Sequence, residues 1–296
     1  MVGEKIKLPP GIVTQEQIDE ALLLNVNDGD IFVTSYPKSG TTWLQAVVWW
    51  IMNVQKTQAK CESIESMSPP TMNELKRFHH LFIDLNGVAN IDQLPTPRVL
   101  VSHLPYEFVP KVSKTENGHR QVKYIHIIRD PKDVVVSYFH FFQMLFKLPD
   151  NDLDLFVDHF TRGTGIYGDY FDCIKSWWNR KDDPNVLILF YEEMLVEPEK
   201  HIMKIASFLS DETTSYGEVL KSNPMIVEKI VGATSFNSMK ESHLKGLNES
   251  NRSFGKFFRK GIKGDWEHFL KQSQVDAIND RIKNELEKSF VDMYVK

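Results

Sequence analysis

Cysteine is scarce in this chain of 296 residues, which has only Cys61 and Cys173. Two cysteines so far apart suggest neither a disulfide framework nor a cysteine-based zinc site. No apolar run approaches the roughly 20 residues that a membrane-spanning helix needs. Basic residues are not in excess, since 35 Lys and Arg stand against 40 Asp and Glu, for a formal net charge of −5. That balance argues against bulk binding to nucleic acid, so any anion site must be a local basic pocket.

The first twenty residues carry acids and two prolines. They lack the charged-then-apolar order of a signal peptide. We therefore expect a cytoplasmic protein that binds neither a membrane nor nucleic acid. No repeat, low-complexity tract or Pro/Gly linker divides the chain. The sequence thus predicts a single domain over 1–296, with a flexible N-terminus over about 1–15 and a polar surface loop over 237–254 that resembles a lid.

Strand-like and helix-like runs alternate along the chain, which is typical of the α/β class. We expect a central parallel β-sheet flanked by helices, with ligands at the carboxyl ends of the strands. The predicted strands cover 31–35, 99–102, 124–128 and 186–190. The predicted helices cover 42–53, 132–146, 152–161, 168–179, 199–209 and 274–288.

The most informative stretch is Ser35–Trp43, which reads Ser-Tyr-Pro-Lys-Ser-Gly-Thr-Thr-Trp and separates an apolar run from a helix-like segment. A strand, a tight turn and a helix start leave backbone N–H groups pointing into one small space, where the helix dipole also favours an anion. One positive charge and three hydroxyl groups come from Lys38, Ser39, Thr41 and Thr42. The stretch predicts a loop that binds a phosphate-like or sulfate-like group, the plain alternative being a turn that merely caps a helix.

This loop differs from the nucleotide triphosphatase loop, which places its lysine after the second of two glycines. Here Lys38 comes two residues before Gly40, and no earlier glycine opens the turn. A nucleotide kinase-like phosphotransferase is therefore the weaker alternative, because it needs that lysine placement and Mg²⁺.

Two further elements predict anion sites. Arg129 ends a strand-like run and Ser137 follows eight residues later, and an arginine fork with a hydroxyl suits a phosphate monoester. Near the C-terminus, Arg259 and Lys260 precede Gly261, which allows close backbone approach. Each element alone is as readily a surface ion pair or a solvated turn. Together, three anion sites in one domain fit a ligand with two separated phosphates.

These strings, from about Asp30 to Trp266, resemble the cytosolic sulfotransferases, which use 3′-phosphoadenosine 5′-phosphosulfate (PAPS). The motifs stand in the family order: the 5′-phosphosulfate loop at 35–43, the 3′-phosphate element at 127–138, and Arg-Lys-Gly followed by Gly-Asp-Trp at 259–266. The resemblance implies the P-loop-like nucleotide fold of sulfotransferases. It also implies PAPS as co-substrate, 3′-phosphoadenosine 5′-phosphate (PAP) as product, and no metal.

The resemblance also implies the nucleotide contacts, with the adenine ring held between Trp43 and Phe236. On sequence alone each aromatic is as readily a core residue. The implied nucleotide-binding residues are Lys38, Ser39, Gly40, Thr41, Thr42, Trp43, Arg129, Ser137, Tyr191, Thr234, Phe236, Phe258, Arg259, Lys260 and Gly261.

His103 is the candidate general base, because it ends the second predicted strand and histidine titrates near neutrality. The family places its base histidine in a similar Ser-His-Leu-Pro string. By the same resemblance, Lys38 neutralises charge on the leaving phosphate, and Ser137 holds Lys38 back until the acceptor binds. The alternative histidines are His79, His80, His126 and His140.

Two places depart from the family pattern. Val101 stands where many relatives have a lysine, two residues before the base histidine, which leaves a catalytically weak PAPS- or PAP-binding member as an alternative. The segment 267–276 lacks the lysine, threonine and valine of the family's dimer string. It predicts a monomer or a weak homodimer.

The predicted acceptor is a small molecule, phenolic or catecholamine-like. Aromatic side chains are expected to line its pocket, although each could equally be packing: Phe78, Phe82, Phe139 and Phe142. A carboxylate at Asp84, Glu107 or Asp169 would favour a cationic amine. Steroids and aliphatic alcohols stay open. So does a dehydratase branch, in which sulfonation activates an alcohol for elimination.

Overall fold

A parallel β-sheet forms the centre of the computed structural model, which describes residues 14–59, 83, 91, 94, 96–111, 122–146, 152–211, 214–245 and 257–295. Its strands are β1 (Ile31–Ser35), β2 (Val99–Ser102), β3 (Lys123–Ile128) and β4 (Val186–Phe190), in the order β2-β1-β3-β4. The four predicted strands are confirmed, with β3 beginning one residue earlier than expected. The α/β class with a parallel sheet is also confirmed.

The strands are almost wholly buried because helices cover both faces of the sheet. All five residues of β1 are buried, and near-continuous burial is typical of parallel strands in α/β proteins. In register, Val33 lies opposite Val101 on one side and Ile125 on the other. Alternate strand residues pack into two apolar clusters, so that Phe32 belongs to one cluster and Val33 to the other.

The helices connect the strands and complete the layers. They are α1 (Gln15–Leu22), α2 (Thr41–Ala59), α3 (Pro131–Phe146), α4 (Leu153–Thr161), α5 (Tyr170–Trp178), α6 (Tyr191–Val196), α7 (Pro198–Leu209), α8 (Tyr216–Ser222), α9 (Pro224–Ala233), α10 (Phe236–Lys245), α11 (Gln272–Glu285) and α12 (Lys288–Tyr294). Short 3₁₀ turns cover Tyr106–Phe108 and Asp265–His268.

The predicted surface loop over 237–254 is wrong in its first part, because α10 occupies Phe236–Lys245. Its polar composition hid a helix that buries Met239 and His243, two residues one turn apart. The hydroxyl of Ser235 accepts a hydrogen bond from the backbone N–H of Ser238 at the helix start. The rest of the predicted loop, from 246, lies outside the described residues. So does the predicted flexible N-terminus, apart from Thr14 and Gln15 at the start of α1.

A buried ion pair lies at the end of the sheet away from the strands' carboxyl ends. Arg98 precedes β2 and contacts Asp30, which precedes β1, at 2.5 Å, and both side chains are 0% exposed. Asp30 also accepts a hydrogen bond from the backbone N–H of Asn27 at 2.7 Å. Removing one partner of such a pair leaves an uncompensated buried charge. The pair therefore joins the starts of two neighbouring strands.

Candidate active site

The carboxyl ends of three neighbouring strands meet at one cavity of about 610 Å³. Ser35 ends β1, His103 follows β2 and Arg129 follows β3, which is the edge where parallel sheets bind ligands. The described residues that line the cavity include predicted site residues from every motif: Lys38, Gly40, Thr41, Thr42, Trp43, His103, Arg129, Ser137, Tyr191, Thr234, Phe236, Phe258, Arg259, Lys260 and Gly261. The fold thus brings together segments that are far apart in the sequence.

The loop between β1 and α2 has an unusual backbone. Lys38 has φ +68° and Gly40 has φ +115°, and a non-glycine residue in the left-handed region costs energy that the surroundings must offset. A Cβ atom at Gly40 would lie 2.8 Å from the ring of Tyr191. Ser39 does not line the cavity. Its buried Oγ has no hydrogen-bond partner among the described residues.

The Lys38 ammonium lies between two aromatic rings. Its Nζ is 4.5 Å from the ring centre of Phe141 and 4.0 Å from that of Phe257. Burial, with the nearby charges of Arg129 and Arg259, lowers the pKa of Lys38 to about 7. A lysine that titrates near neutrality at an anion site can change its charge when an anion binds.

Arg129 joins the first anion loop to the C-terminal segment. One guanidinium nitrogen donates to the carbonyl of Lys38 at 3.2 Å and another to the carbonyl of Ile262 at 3.0 Å. The guanidinium also lies over the ring of Tyr191 at 4.4 Å. Its buried Nε has no partner among the described residues, so the arginine fork keeps a donor for a ligand.

The other two cations, Arg259 and Lys260, share one carboxylate. Lys260 Nζ is 2.6 Å from Asp265 Oδ1, and Arg259 forms an ion pair with the other oxygen of Asp265. Gly261 follows at φ +67°, and a Cβ atom there would lie 2.1 Å from the Phe236 ring. Only glycine fits so close to that ring.

The C-terminal segment is held against α3 by Asp133. The carboxylate of Asp133 accepts hydrogen bonds from the backbone N–H of Gly264 at 2.7 Å and of Trp266 at 3.1 Å. Asp133 was not among the residues predicted for the site. These two contacts explain why Arg259 and Lys260, far along the chain, lie beside the first loop.

Aromatic side chains form the walls of one part of the cavity. Trp43 meets Tyr191 edge-on at 5.4 Å between ring centres, and Phe236 meets Phe258 at 5.8 Å. The hydroxyl of Thr234 donates to the carbonyl of Ile230 at 2.8 Å. Its oxygen keeps lone pairs with which it can accept a hydrogen bond from a ligand.

His103 is joined directly to the anion loop. Its Nδ1 lies 2.9 Å from the backbone carbonyl of Ser35. Since a carbonyl can only accept, the proton of the neutral ring is on Nδ1, and the lone pair is on Nε2. That tautomer is the one that can take a proton at Nε2.

The two described histidines that were alternative candidates for the general base, His126 and His140, do not line the cavity. His126, in the middle of β3, stacks on Trp177 at 4.6 Å, and burial lowers its pKa well below its usual range. His140 lies 2.8 Å from Gln143 through Nδ1. His79 and His80 lie outside the described residues. Among the histidines that the structure describes, His103 is the one that lines the cavity.

Of the aromatic residues predicted to line an acceptor pocket, Phe142 lies at the cavity, and its role toward an acceptor stays a prediction. Phe142 lines the cavity together with Tyr138, Phe141, Leu145, Tyr167 and Phe257. The prediction for Phe139 needs correction, because its buried ring packs against Phe156 at 5.6 Å instead of lining the cavity. α3 turns Phe139 inward and Phe142 toward the cavity. Phe78 and Phe82 lie outside the described residues.

The acidic residues considered for a cationic acceptor are not in the described cavity wall. Glu107 is exposed, and Asp169 caps α5 and pairs with Arg281 at 2.7 Å. Asp84 lies outside the described residues. Val101 is wholly buried in one of the two core clusters and does not line the cavity either.

Within the described residues, none of the helices is both long and apolar enough to cross a bilayer. In the same part of the chain, no three or more His, Cys, Asp or Glu side chains are grouped so that they could hold a metal ion.

Comparison with known proteins identifies the family of this chain. The sulfotransferase domain family model matches residues 28–290. Sulfotransferase 1B1 from Mus musculus is 36% identical over 258 residues, covering 85% of this chain and 80% of that protein. The amine sulfotransferase from Oryctolagus cuniculus is 33% identical over 283 residues, covering 93% of this chain and 85% of that protein.

A solved structure of mouse sulfotransferase SULT7A1 complexed with PAP superposes with a TM-score of 0.69 at 28% identity, covering 94% of each chain. The chain therefore belongs to the sulfotransferase family, as its sequence motifs predicted. It is an enzyme of the class that transfers sulfonate groups.

The sequence predicted no individual role for three residues near the site. Asp265 belongs to the Gly-Asp-Trp string, and in the structure it is 2% exposed and forms ion pairs with two cations. Tyr36 and Tyr167 were not predicted to have any role. A tyrosine inside the anion loop was the available hint for Tyr36.

Proposed function

We propose that this protein binds PAPS and transfers its sulfonate group to the hydroxyl of a small phenolic acceptor, with His103 as the general base. The observation that carries the proposal is the hydrogen-bond distance of 2.9 Å between His103 Nδ1 and the carbonyl of Ser35. It joins the base to the first residue of the anion loop. This contact supports proton removal and sulfonate binding in the same cavity.

The residues present fit a nucleotide with two separated phosphates. Arg129 lines the cavity, and its buried Nε has no partner among the described residues; such an atom is costly unless a ligand meets it. Gly40 and Gly261 allow the rings of Tyr191 and Phe236 to lie close to the backbone beside the cavity, where a Cβ would collide with them. The PAP complex of the mouse relative supports the same ligand. In this proposal the loop at Lys38 holds the 5′ end, and Arg129, Ser137 and Arg259 hold the 3′-phosphate.

The chemistry divides between the co-substrate and the chain. PAPS supplies an activated sulfonate. His103 accepts the proton of the acceptor hydroxyl at Nε2 as that oxygen becomes the nucleophile. Lys38 holds positive charge beside the 5′ end, where negative charge grows, and its partial burial makes that charge more effective. The Ser137 hydroxyl restrains the Lys38 ammonium until an acceptor is present.

A neutral phenol suits the acceptor end better than a protonated amine. The described lining contains no carboxylate with which a protonated amine could pair, and its four cations, Lys38, Arg129, Arg259 and Lys260, lie with the phosphates in this proposal. Burying an ammonium group without a counter-charge is costly, whereas a neutral phenol needs no such partner. The rabbit relative is named for amines, so a catecholamine is the acceptor that tests this choice. The cytoplasmic location and the monomer or weak homodimer stay predictions from the sequence.

The test is transfer from labelled PAPS to phenols, catecholamines, steroids and aliphatic alcohols, with His103→Ala beside the wild type. Loss of a positioned proton-transfer group costs about 10²–10⁴-fold in rate, so His103→Ala should lose transfer while PAP binding by calorimetry is unchanged. His268→Asn, at an exposed histidine, is the matched control. A His103→Ala enzyme with full activity would rule out the base. A wild type that fails to bind PAP would rule out the nucleotide site.

A further inference from the structure

Tyr167, which lines the cavity, has a strained backbone. Its φ is +66°, and Gly168 after it has φ +76°. A left-handed conformation is a genuine outlier for a bulky residue, and such outliers persist where the surroundings hold them, often at functional sites. Tyr167 is 4% exposed. Something must therefore hold this turn in place.

The restraint comes from Tyr36, in the anion loop. Its hydroxyl donates toward the carbonyls of Ile166 and Gly168, on either side of Tyr167, at 3.2 Å each. The hydroxyl of Tyr138 donates to the Ile166 carbonyl as well, at 3.4 Å. Tyr36 itself is 1% exposed, and its ring meets three others edge-on: Tyr138, Phe160 and Tyr170. A rigid aromatic cluster thus fixes the turn.

This turn places the ring of Tyr167 in contact with the imidazole of His103. The two ring centres are 5.4 Å apart at an interplanar angle of 80°, an edge-to-face arrangement that aromatic rings prefer. His103 is also held through Nδ1 by the carbonyl of Ser35. Consecutive residues of the anion loop, Ser35 and Tyr36, therefore restrain the imidazole, one directly and one through Tyr167.

From this geometry we infer that Tyr167 is a positioning residue for His103: its ring fixes the plane of the imidazole and so the direction of the Nε2 lone pair. The inference rests on the proposed role of His103 as the base. The hydrogen bond at Nδ1 fixes the position of that atom and does not by itself set the plane of the ring. The edge-to-face contact with the Tyr167 ring helps to set that plane, which matters because a misplacement of about 1 Å can cost on the order of 10²-fold in rate.

Two substitutions distinguish the effect of the Tyr167 ring on activity from the effect of its strained backbone. Tyr167→Phe keeps the ring, and Tyr167→Leu removes it while keeping an apolar side chain on the same strained backbone. We expect Tyr167→Phe to retain kcat and Tyr167→Leu to lose about 10- to 100-fold, with the affinity for PAP unchanged. A Tyr167→Leu enzyme that keeps kcat and raises only the KM for the acceptor would overturn the inference, because Tyr167 would then be only a pocket wall.

A spectroscopic readout makes the test independent of turnover. NMR signals of the carbon-bound imidazole protons of His103 should be sharp in the wild type and Tyr167→Phe, and broadened by motion of the ring in Tyr167→Leu. His103 signals that stay sharp in Tyr167→Leu overturn the inference whatever the rate. Full activity in His103→Ala instead rules out the proposed base, and it leaves the NMR result on the ring contact standing.

Tyr36→Phe tests the same connection from a second position. It removes the hydroxyl that bridges the carbonyls of Ile166 and Gly168 and keeps the buried ring. Since Tyr36 acts through Tyr167, the rate losses of Tyr36→Phe and Tyr167→Leu should not add in the double variant. Fully additive losses would contradict the connection.

Discussion

Asp133 in α3 holds the backbone N–H of Gly264 at 2.7 Å and thereby fixes the C-terminal cation segment at the cavity. Hydrogen bonds to a charged group contribute about 1.5–3 kcal/mol. Asp133→Asn keeps at most one of the two N–H contacts, so the Kd for PAP should rise about 10- to 100-fold by calorimetry. Asp172→Asn, at a carboxylate that is 69% exposed, is the matched control. Wild-type affinity in Asp133→Asn would show that the segment docks without this carboxylate.

The charge of Lys38 should make nucleotide binding depend on pH. Its pKa is lowered to about 7 by burial and by Arg129 and Arg259, so the free enzyme carries a protonated Lys38 below pH 7 and a neutral one above. A bound anion raises that pKa, and binding at pH 8 should therefore take up a proton. The affinity for PAP should fall between pH 7 and 9, by at most about tenfold per pH unit.

Calorimetry in two buffers with different ionisation heats measures the proton uptake. Lys38→Arg carries a charge that does not titrate in this range, so its PAP binding should take up no proton at this position. Equal uptake by the wild type and Lys38→Arg at pH 8 would show that another group accounts for the proton.

Gly261 should be indispensable for the shape of the cavity beside Phe236. A Cβ atom would lie 2.1 Å from the Phe236 ring at a backbone φ of +67°, so Gly261→Ala must move either the ring or the segment. We expect at least a tenfold rise in the Kd for PAP. Gly232→Ala, in α9, meets nothing within 4 Å and should stabilise the helix by about 0.5–1 kcal/mol. If both variants bind PAP equally well, Gly261 does not shape the site.

Loss of the Arg98–Asp30 ion pair should lower the free energy of unfolding without changing the chemistry at the cavity. Both side chains are 0% exposed, so Arg98→Met leaves a buried charge and should lower the free energy of unfolding by about 3–5 kcal/mol. Denaturant titration would measure this change. Asp30→Asn combined with Arg98→Met removes both charges and should recover part of the loss. A double variant that is less stable than Arg98→Met would contradict this account.

Much of the fold follows from local signals in the sequence. Buried β-branched runs such as Ile31–Ser35 predict the parallel strands, because both faces of each strand are covered. The anion loop was predicted because its residue types and its place after β1 act locally. α10 was missed, since a helix that buries mainly Met239 and His243 has too few apolar residues for a clear pattern.

The sequence could not show which distant residues contact one another within the site. Asp133 and Gly264 are brought together by packing of α3 against the segment before α11, and no local pattern encodes that contact. The left-handed backbone of Tyr167 depends on the Tyr36 hydroxyl, which comes from a distant loop. For the same reason Phe139 and Phe142, three residues apart on one helix, could not be separated into core and cavity before the structure was known.

The strand order β2-β1-β3 sets which parts of the chemistry can vary independently. Ser35 ends β1 and His103 follows β2, and the spacing of about 4.8 Å between these adjacent strands is set by main-chain hydrogen bonds. The distance between His103 and the loop after β1 is therefore insensitive to which side chains line the rest of the cavity. Under the proposed function, an aromatic position such as Phe142 can be exchanged to admit a differently shaped acceptor without changing that distance. Acceptor specificity and the position of the proposed base can thus change independently.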